Sequence, residues 1–182
     1  MPTDTRREIA FRIAGGPRMA DIDIRQDEAD ALIAMEKHCV EDKSWLFPTA
    51  GDRLSIPLVS PDKRENFMLD ITRATIRLTK ATYQNRARQA IILMRLDLDG
   101  PPHSNPEDLP TGSGYQWLAP YAGQITPCPH LHVYVEGYGD KWAIPTPVTR
   151  YPNVQDLFST FEAFMAHCNI TRLPQIERGL FS

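Results

Sequence analysis

The stretch Cys128-Pro-His-Leu-His-Val-Tyr-Val-Glu-Gly137 alternates apolar and polar residues with a period of two. That is the pattern of a strand with one buried face. Leu131, Val133 and Val135 project to one side, and His130, His132, Tyr134 and Glu136 to the other. Two imidazoles, a phenol and a carboxylate form an unusual row, and imidazole titrates near neutrality, so the pair can supply a base and an acid.

Upstream, Ala87 to Leu98 reads as the longest strand. Ile92, Met94, Leu96 and Leu98 share one face, and Ile91, Leu93, Arg95, Asp97 and Asp99 the other. The second face is apolar at one end and charged at the other, as in a strand entering a cleft. Phe67, Leu69 and Ile71 alternate in a further strand, and Ala74 to Thr82 continues the pattern with Ile76 and Leu78 inward. Leu54 to Val59 is expected at a sheet edge, because Pro57 has no N–H for a central ladder. Lys141 to Ile144 gives a brief last strand.

Two helices flank these strands. Asp27 to Lys43 places Ala29, Leu32, Ile33, Cys39 and Val40 at helical spacing, with acids in the first turn. Asn153 to Cys168 does the same with Val154, Leu157, Phe158, Phe161, Phe164 and Met165, and Asn153 is the expected cap. The expected fold is α+β, a single domain over 1–182, with one curved antiparallel sheet of about five strands covered on its apolar face by two helices. Residues 1–25 read either as a short hairpin turned at Gly15-Gly16-Pro17 or as a loosely attached arm. Residues 104–128 read as a long Pro- and Gly-rich loop.

Composition narrows the class. Hydrophobic residues at 42% and charged ones at 24% are globular values, which argues against wholesale disorder. A net charge of -3 does not mark a nucleic-acid binder, so any such role must rest on local charge. Three cysteines without framework spacing point to a reducing compartment, and the expected location is the cytoplasm. The charged start, Met1 to Glu8, is followed by no apolar run of signal-peptide or membrane-spanning length, so no membrane partner is expected.

Three features carry chemistry. The first is the row His130, His132, Tyr134 and Glu136. The second is Arg95, Asp97 and His103: if strand 87–98 pairs with strand 130–136, Arg95 and Asp97 share a face with the histidines, and His103 folds over them from the following loop. There Arg95 can clamp a phosphate, and Asp97 can orient an imidazole. The third is a basic track, Arg73, Arg77, Lys80, Arg86, Arg88 and Arg95, in a run from Ile71 to Leu96 that holds no acid. A local basic track on an acidic chain is what phosphate binding requires. His130-x-His132 with Glu136 also echoes half of a cupin metal motif, with Cys128 or His103 as further ligands. The cupin glycines and the second cupin motif are missing, so the expectation is no metal and no cofactor.

Two blocks together carry a resemblance: Leu96-Asp-Leu-Asp-Gly-Pro-Pro-His103-Ser-Asn105-Pro, and Pro129-His130-Leu-His132-Val-Tyr-Val-Glu136-Gly with Gly139-Asp-Lys-Trp-Ala143. They resemble an uncharacterised family of small bacterial and phage proteins. Over residues 70–145 the layout is similar to TumE-type toxins of toxin–antitoxin systems, in which an Asp-ended strand and a Pro-His loop precede a Pro-His-x-His strand. The resemblance implies a small RNA-cleaving toxin with a RelE-like or barnase-like sheet. It makes His103, His130 and His132 the site candidates, with Arg95 and Asp97 in support. This chain departs in its length, in the insert between His103 and His130, and in its N-terminal hundred residues.

The leading expectation is a metal-independent endoribonuclease with RNA as substrate and a protein antitoxin as partner. Its catalytic set is His130, His132, His103, Arg95, Asp97, Tyr134 and Glu136, and RNA contacts come from Arg73, Arg77, Lys80, Arg86 and Arg88. One alternative is a non-enzymatic phage or mobile-element inhibitor, anti-CRISPR-like, that binds a CRISPR or other nucleic-acid-handling complex. Another is a cupin-like metal-dependent enzyme.

Overall fold

The computed structural model describes residues 23–179. The elements in chain order are helix α1 (Gln26–Ala34), strands β1 (Lys37–Cys39), β2 (Ser44–Leu46), β3 (Arg53–Val59), β4 (Asn66–Arg73), β5 (Ala81–Ala87), β6 (Ile91–Leu98) and β7 (His103–Ser104), and a 3-10 helix (Ser113–Tyr121). Then follow β8 (Ile125–Thr126), β9 (His130–Val135), β10 (Gly139–Pro145), helix α2 (Leu157–His167), β11 (Ile170–Arg172) and β12 (Gln175–Glu177). The N-terminal hairpin expected over residues 1–25 lies almost wholly outside the described residues.

The fold is α+β. An eight-stranded sheet runs β10-β9-β6-β5-β4-β3-β1-β11. Its pairs are antiparallel except β1 with β11, which is parallel. The sheet is thus larger than expected, because β1 and β11 extend it beyond β3. One face carries the core: Leu69, Ile71, Tyr83, Leu96 and Leu131 pack with Ala29 and Leu32 of α1 and Phe161 and Phe164 of α2. The Tyr83 ring meets Phe161 edge-on at 5.3 Å, and its hydroxyl donates to the Leu157 carbonyl at 2.7 Å, tying α2 to the sheet.

Several expectations change for local reasons. The first helix stops at Ala34, not Lys43, because Lys37 turns inward. Its amine donates to the carbonyls of Ile33 and Met35, at the end of the helix, and to Cys168 across the core, at 3.0, 2.8 and 2.9 Å. Three acceptors satisfy an ammonium that has no exposed surface. Burial pushes its pKa down to about 8. The cap of α2 is Asp156, which accepts from the amides of Phe158 and Ser159, and not Asn153. Ala74 to Lys80 is a turn rather than a strand, and Ile76 and Leu78 are 91% and 63% exposed. Strand 87–98 breaks after Ala87, where Arg88 and Gln89 take left-handed φ values of 48° and 68°.

Pro57 lies inside the sheet, between β4 and β1. Its carbonyl accepts from Val40 just past the end of the three-residue β1, so its missing N–H faces the point where that neighbour runs out. In β6, a register shift opposite Asn85 and Arg86 inserts one extra residue, so Leu93 joins Met94 in the core instead of sharing the polar face.

Segment 104–128 is not only loop. Its 3-10 helix buries Leu118 against Val135 and Trp142, beside the outer strand β10. Asn105 accepts from the amide of Ala143 and donates to its carbonyl, both at 2.8 Å. One side-chain amide thereby makes the pair of bonds a further strand would make, and it blunts the sheet edge there. No helix among the described residues is long and apolar enough to cross a membrane.

Candidate functional site

The site grows from the pairing of β6 with β9. Asp97 lies opposite His130 and Arg95 opposite His132, on the face away from the helices. Side chains of directly opposed residues are neighbours in a sheet, so all four gather at one spot. His103 closes the group from β7, which pairs with β8. Its ring centroid is 4.6 Å from that of His132 and 5.8 Å from that of His130. A cleft of about 290 Å3 opens here, with Lys80 and Thr82 at its wall.

Two backbone carbonyls decide where the protons sit. His132 Nδ1 is 2.8 Å from the Asp140 carbonyl, and His103 Nε2 is 2.8 Å from the Lys141 carbonyl. A carbonyl only accepts, so each of these nitrogens carries the hydrogen. The other nitrogen of each ring then presents a lone pair: Nε2 on His132, Nδ1 on His103. Arg95 Nη2 donates to His132 Nε2 at 2.8 Å. The same guanidinium pairs with Asp97 Oδ2 at 3.1 Å and with Asp140.

His132 is fully buried and His130 is 3% exposed. His130 Nε2 lies 3.6 Å from Asp97 Oδ2, and its Nδ1 has no partner. Thr82 donates to Asp97 Oδ1 at 2.7 Å. Burial alone would push the Asp97 carboxyl up, but His130, His132, Thr82 and the Arg95 charge outweigh it and hold it well below the usual carboxylate range. Burial lowers the His103 pKa, and the nearby His132, His130 and Arg95 add to this against the opposing bond to Lys141. His103 is therefore a neutral imidazole at pH 7.

Tyr134 and Glu136 are placed elsewhere. The Tyr134 hydroxyl accepts from the Ile24 amide at 2.7 Å and lies 2.8 Å from both Asp23 Oδ1 and the Ile24 carbonyl. Glu136 accepts from the amide of Gln26, the first residue of α1, at 2.9 Å. Both anchor the start of that helix. The cupin-like ligand set therefore loses its carboxylate. Cys128 donates to the Asp97 carbonyl and accepts from the Gly100 amide, both at 3.1 Å, so it ties the ends of two strands and is not a ligand.

The basic track is largely consumed within the fold. Arg73 is buried and donates to the Pro48 and Leu78 carbonyls. Arg86 grips Asp70 with two bonds. Arg88 pairs with Glu65 and Glu28, and Arg77 reaches Asp99 at 3.8 Å. Among the described residues no carboxylate pairs with Lys80, which stands at the cleft. The carboxylate partners Asp70, Glu65, Glu28 and Asp99 lie outside the acid-free run, and pairing of the strands and loops brings them alongside it. Asp140 and Thr82 are the site residues that sequence reasoning missed. Asp140 was signalled only by its place in the Gly139-Asp-Lys-Trp-Ala143 block.

The arrangement defines a histidine-rich cleft on the open face of an α+β sheet. The chain belongs to a family of unknown function (DUF6978), whose model matches residues 24–170 and so takes in every residue of the cleft. No curated protein and no solved structure matches it.

Proposed function

We propose that this chain is a toxin-like, metal-independent endoribonuclease whose cleft uses His103 as base and His130 as acid. The observation that carries the reading is the pair of unlike histidines facing one cleft. The Lys141 carbonyl locks His103 with its Nδ1 lone pair free, while His130 Nε2 stands 3.6 Å from the Asp97 carboxylate.

The 2′-hydroxyl gives its proton to His103 Nδ1 as its oxygen bonds to phosphorus. The P–O5′ bond breaks, and His130 protonates the departing 5′-oxygen. The products are a 2′,3′-cyclic phosphate and a 5′-hydroxyl. Arg95, steadied by Asp97, Asp140 and His132, and Lys80 at the wall face the charge that builds on the phosphorane. His132 is a positioning residue here, because its lone pair is spent on Arg95. The reading carries with it a RelE-like or barnase-like sheet, a neutralising protein antitoxin, and a cytoplasmic setting, which suits three unpaired cysteines.

The test is end-labelled RNA incubated with the pure chain in EDTA. Cleavage that leaves cyclic phosphate, and that fails when the ribose at the cut is deoxy, is the expected result. No cleavage in EDTA, nor after adding divalent ions, would sink the enzyme reading; cleavage only with an ion would replace the metal-independent mechanism.

A further inference from the structure

We infer that Asp97 Oδ2, His130 Nε2 and His132 Nε2 form a binding site for one zinc-class divalent ion, and that the ion shuts the cleft to catalysis. The binding stands on geometry alone; the inhibition rests on the proposed ribonuclease reading. The three atoms all lie within 4.8 Å of one another. His132 Nε2 and His130 Nε2 are 3.2 and 3.6 Å from Asp97 Oδ2. Two ligands each about 2.1 Å from a tetrahedral ion stand about 3.4 Å apart. Both separations therefore match edges of a tetrahedron.

The proton positions point the same way. With Nδ1–H of His132 spent on the Asp140 carbonyl, its Nε2 is the nitrogen left to ligate, 3.2 Å from the Asp97 oxygen. A cation already bridges these two atoms: the Arg95 guanidinium donates to both, and the ion takes its place there. When an ion enters, Asp140 keeps hold of Arg95. At 3.6 Å, His130 and Asp97 are too far apart for a hydrogen bond and suitably spaced for a shared ion.

The outer contacts also have the form of a metal site. A ligating imidazole commonly donates its other N–H to a carbonyl, and a ligating carboxylate is held by a further donor. Asp140 and Thr82 fill those two roles. Two imidazoles and one carboxylate suit zinc and its neighbours cobalt and nickel, and they do not suit magnesium or calcium. An ion on His130 Nε2 occupies the nitrogen that must protonate the leaving oxygen, so occupancy and cleavage exclude each other.

The full chain, stripped with EDTA and dialysed, is titrated with zinc chloride in a calorimeter, with magnesium chloride as the comparison. The expected result is one zinc per chain and no magnesium. Asp97→Asn and His132→Ala each weaken binding at least about tenfold, Thr82→Val weakens it less, and His38→Ala leaves it unchanged. Cobalt(II) as a second probe gives visible absorption bands in the wild-type chain that His132→Ala lacks. If zinc does not bind, or binds equally well to the Asp97 and His132 variants, the site is overturned. In the RNA assay, zinc at one equivalent abolishes cleavage; stimulation by zinc would overturn the inhibitory role. A chain that binds zinc but never cleaves RNA removes the ribonuclease reading and leaves the ion site standing.

Discussion

The two halves of β9 begin as one polar row and end with different work. His130 and His132 face Arg95 and Asp97 across a strand pair and open onto a cleft. Tyr134, next along the same strand, and Glu136, just past its end, meet the backbone amides of Ile24 and Gln26 and hold the start of α1. Strand periodicity sets where side chains leave the backbone, and it does not set what they meet. A neighbouring strand supplies charged side chains at one end of β9. At the other end a helix start supplies backbone amides, so the polar groups there are satisfied structurally.

Substitutions can break this contrast. The largest expected effect is on chemistry: His130→Ala and His103→Ala each lower the RNA cleavage rate by about 10²–10⁴-fold, with the circular dichroism spectrum unchanged in both and the melting temperature little changed in His103→Ala. Tyr134→Phe behaves in the opposite way. It leaves the Ile24 amide without its acceptor, so urea unfolding shows a loss of about 1–3 kcal/mol while cleavage stays within a few-fold of wild type. A rate collapse in Tyr134→Phe would join the two halves into one site again.

A histidine remote from the cleft sharpens the comparison further. His167 on α2 accepts from the Tyr151 hydroxyl at 2.8 Å through Nδ1. Burial, with the Arg150 charge adding to it, pushes its pKa down to about 4. The unfolded chain binds this proton near pH 6.5 and the folded chain does not, so the neutral histidine's stability is present above pH 6.5. It is lost as the pH falls toward 4, on the order of 1–3 kcal/mol. Denaturant titrations at pH 7 and pH 4.5 should show a smaller difference for His167→Gln than for the wild type; equal differences would remove this account. The smallest effect is expected at Glu136. Glu136→Ala removes one acceptor at an exposed helix start and costs about 0.5–1 kcal/mol of stability, measured the same way, with no change in cleavage.

Much of the cleft is legible in the linear chain. Period-two alternation over 94–98 and 130–135 places Arg95, Asp97, His130 and His132 on facing rows, and Gly100-Pro-Pro102 breaks the chain where His103 must turn back. The sheet's outer strands are less legible. Lys37 carries a helical pattern onward in sequence, yet its buried amine needs the Cys168 carbonyl from the far end of the chain. The turn at Arg88 and Gln89 has no glycine or asparagine to announce its left-handed backbone. The basic track misleads for a related reason. Arg86 and Arg88 read as free charge until β4 and the loop before it bring Asp70 and Glu65 alongside.

The two carbonyls that settle the histidine protons belong to the main chain, and every amino acid possesses that oxygen. The exposed side chain of Lys141 takes no part in holding His103; its backbone does. Position 141 can therefore accumulate substitutions over evolutionary time while His103 keeps the same nitrogen bare. Among descendants of this chain, a constant residue 103 beside a drifting residue 141 would be two halves of one inherited device, only one of them visible as a letter.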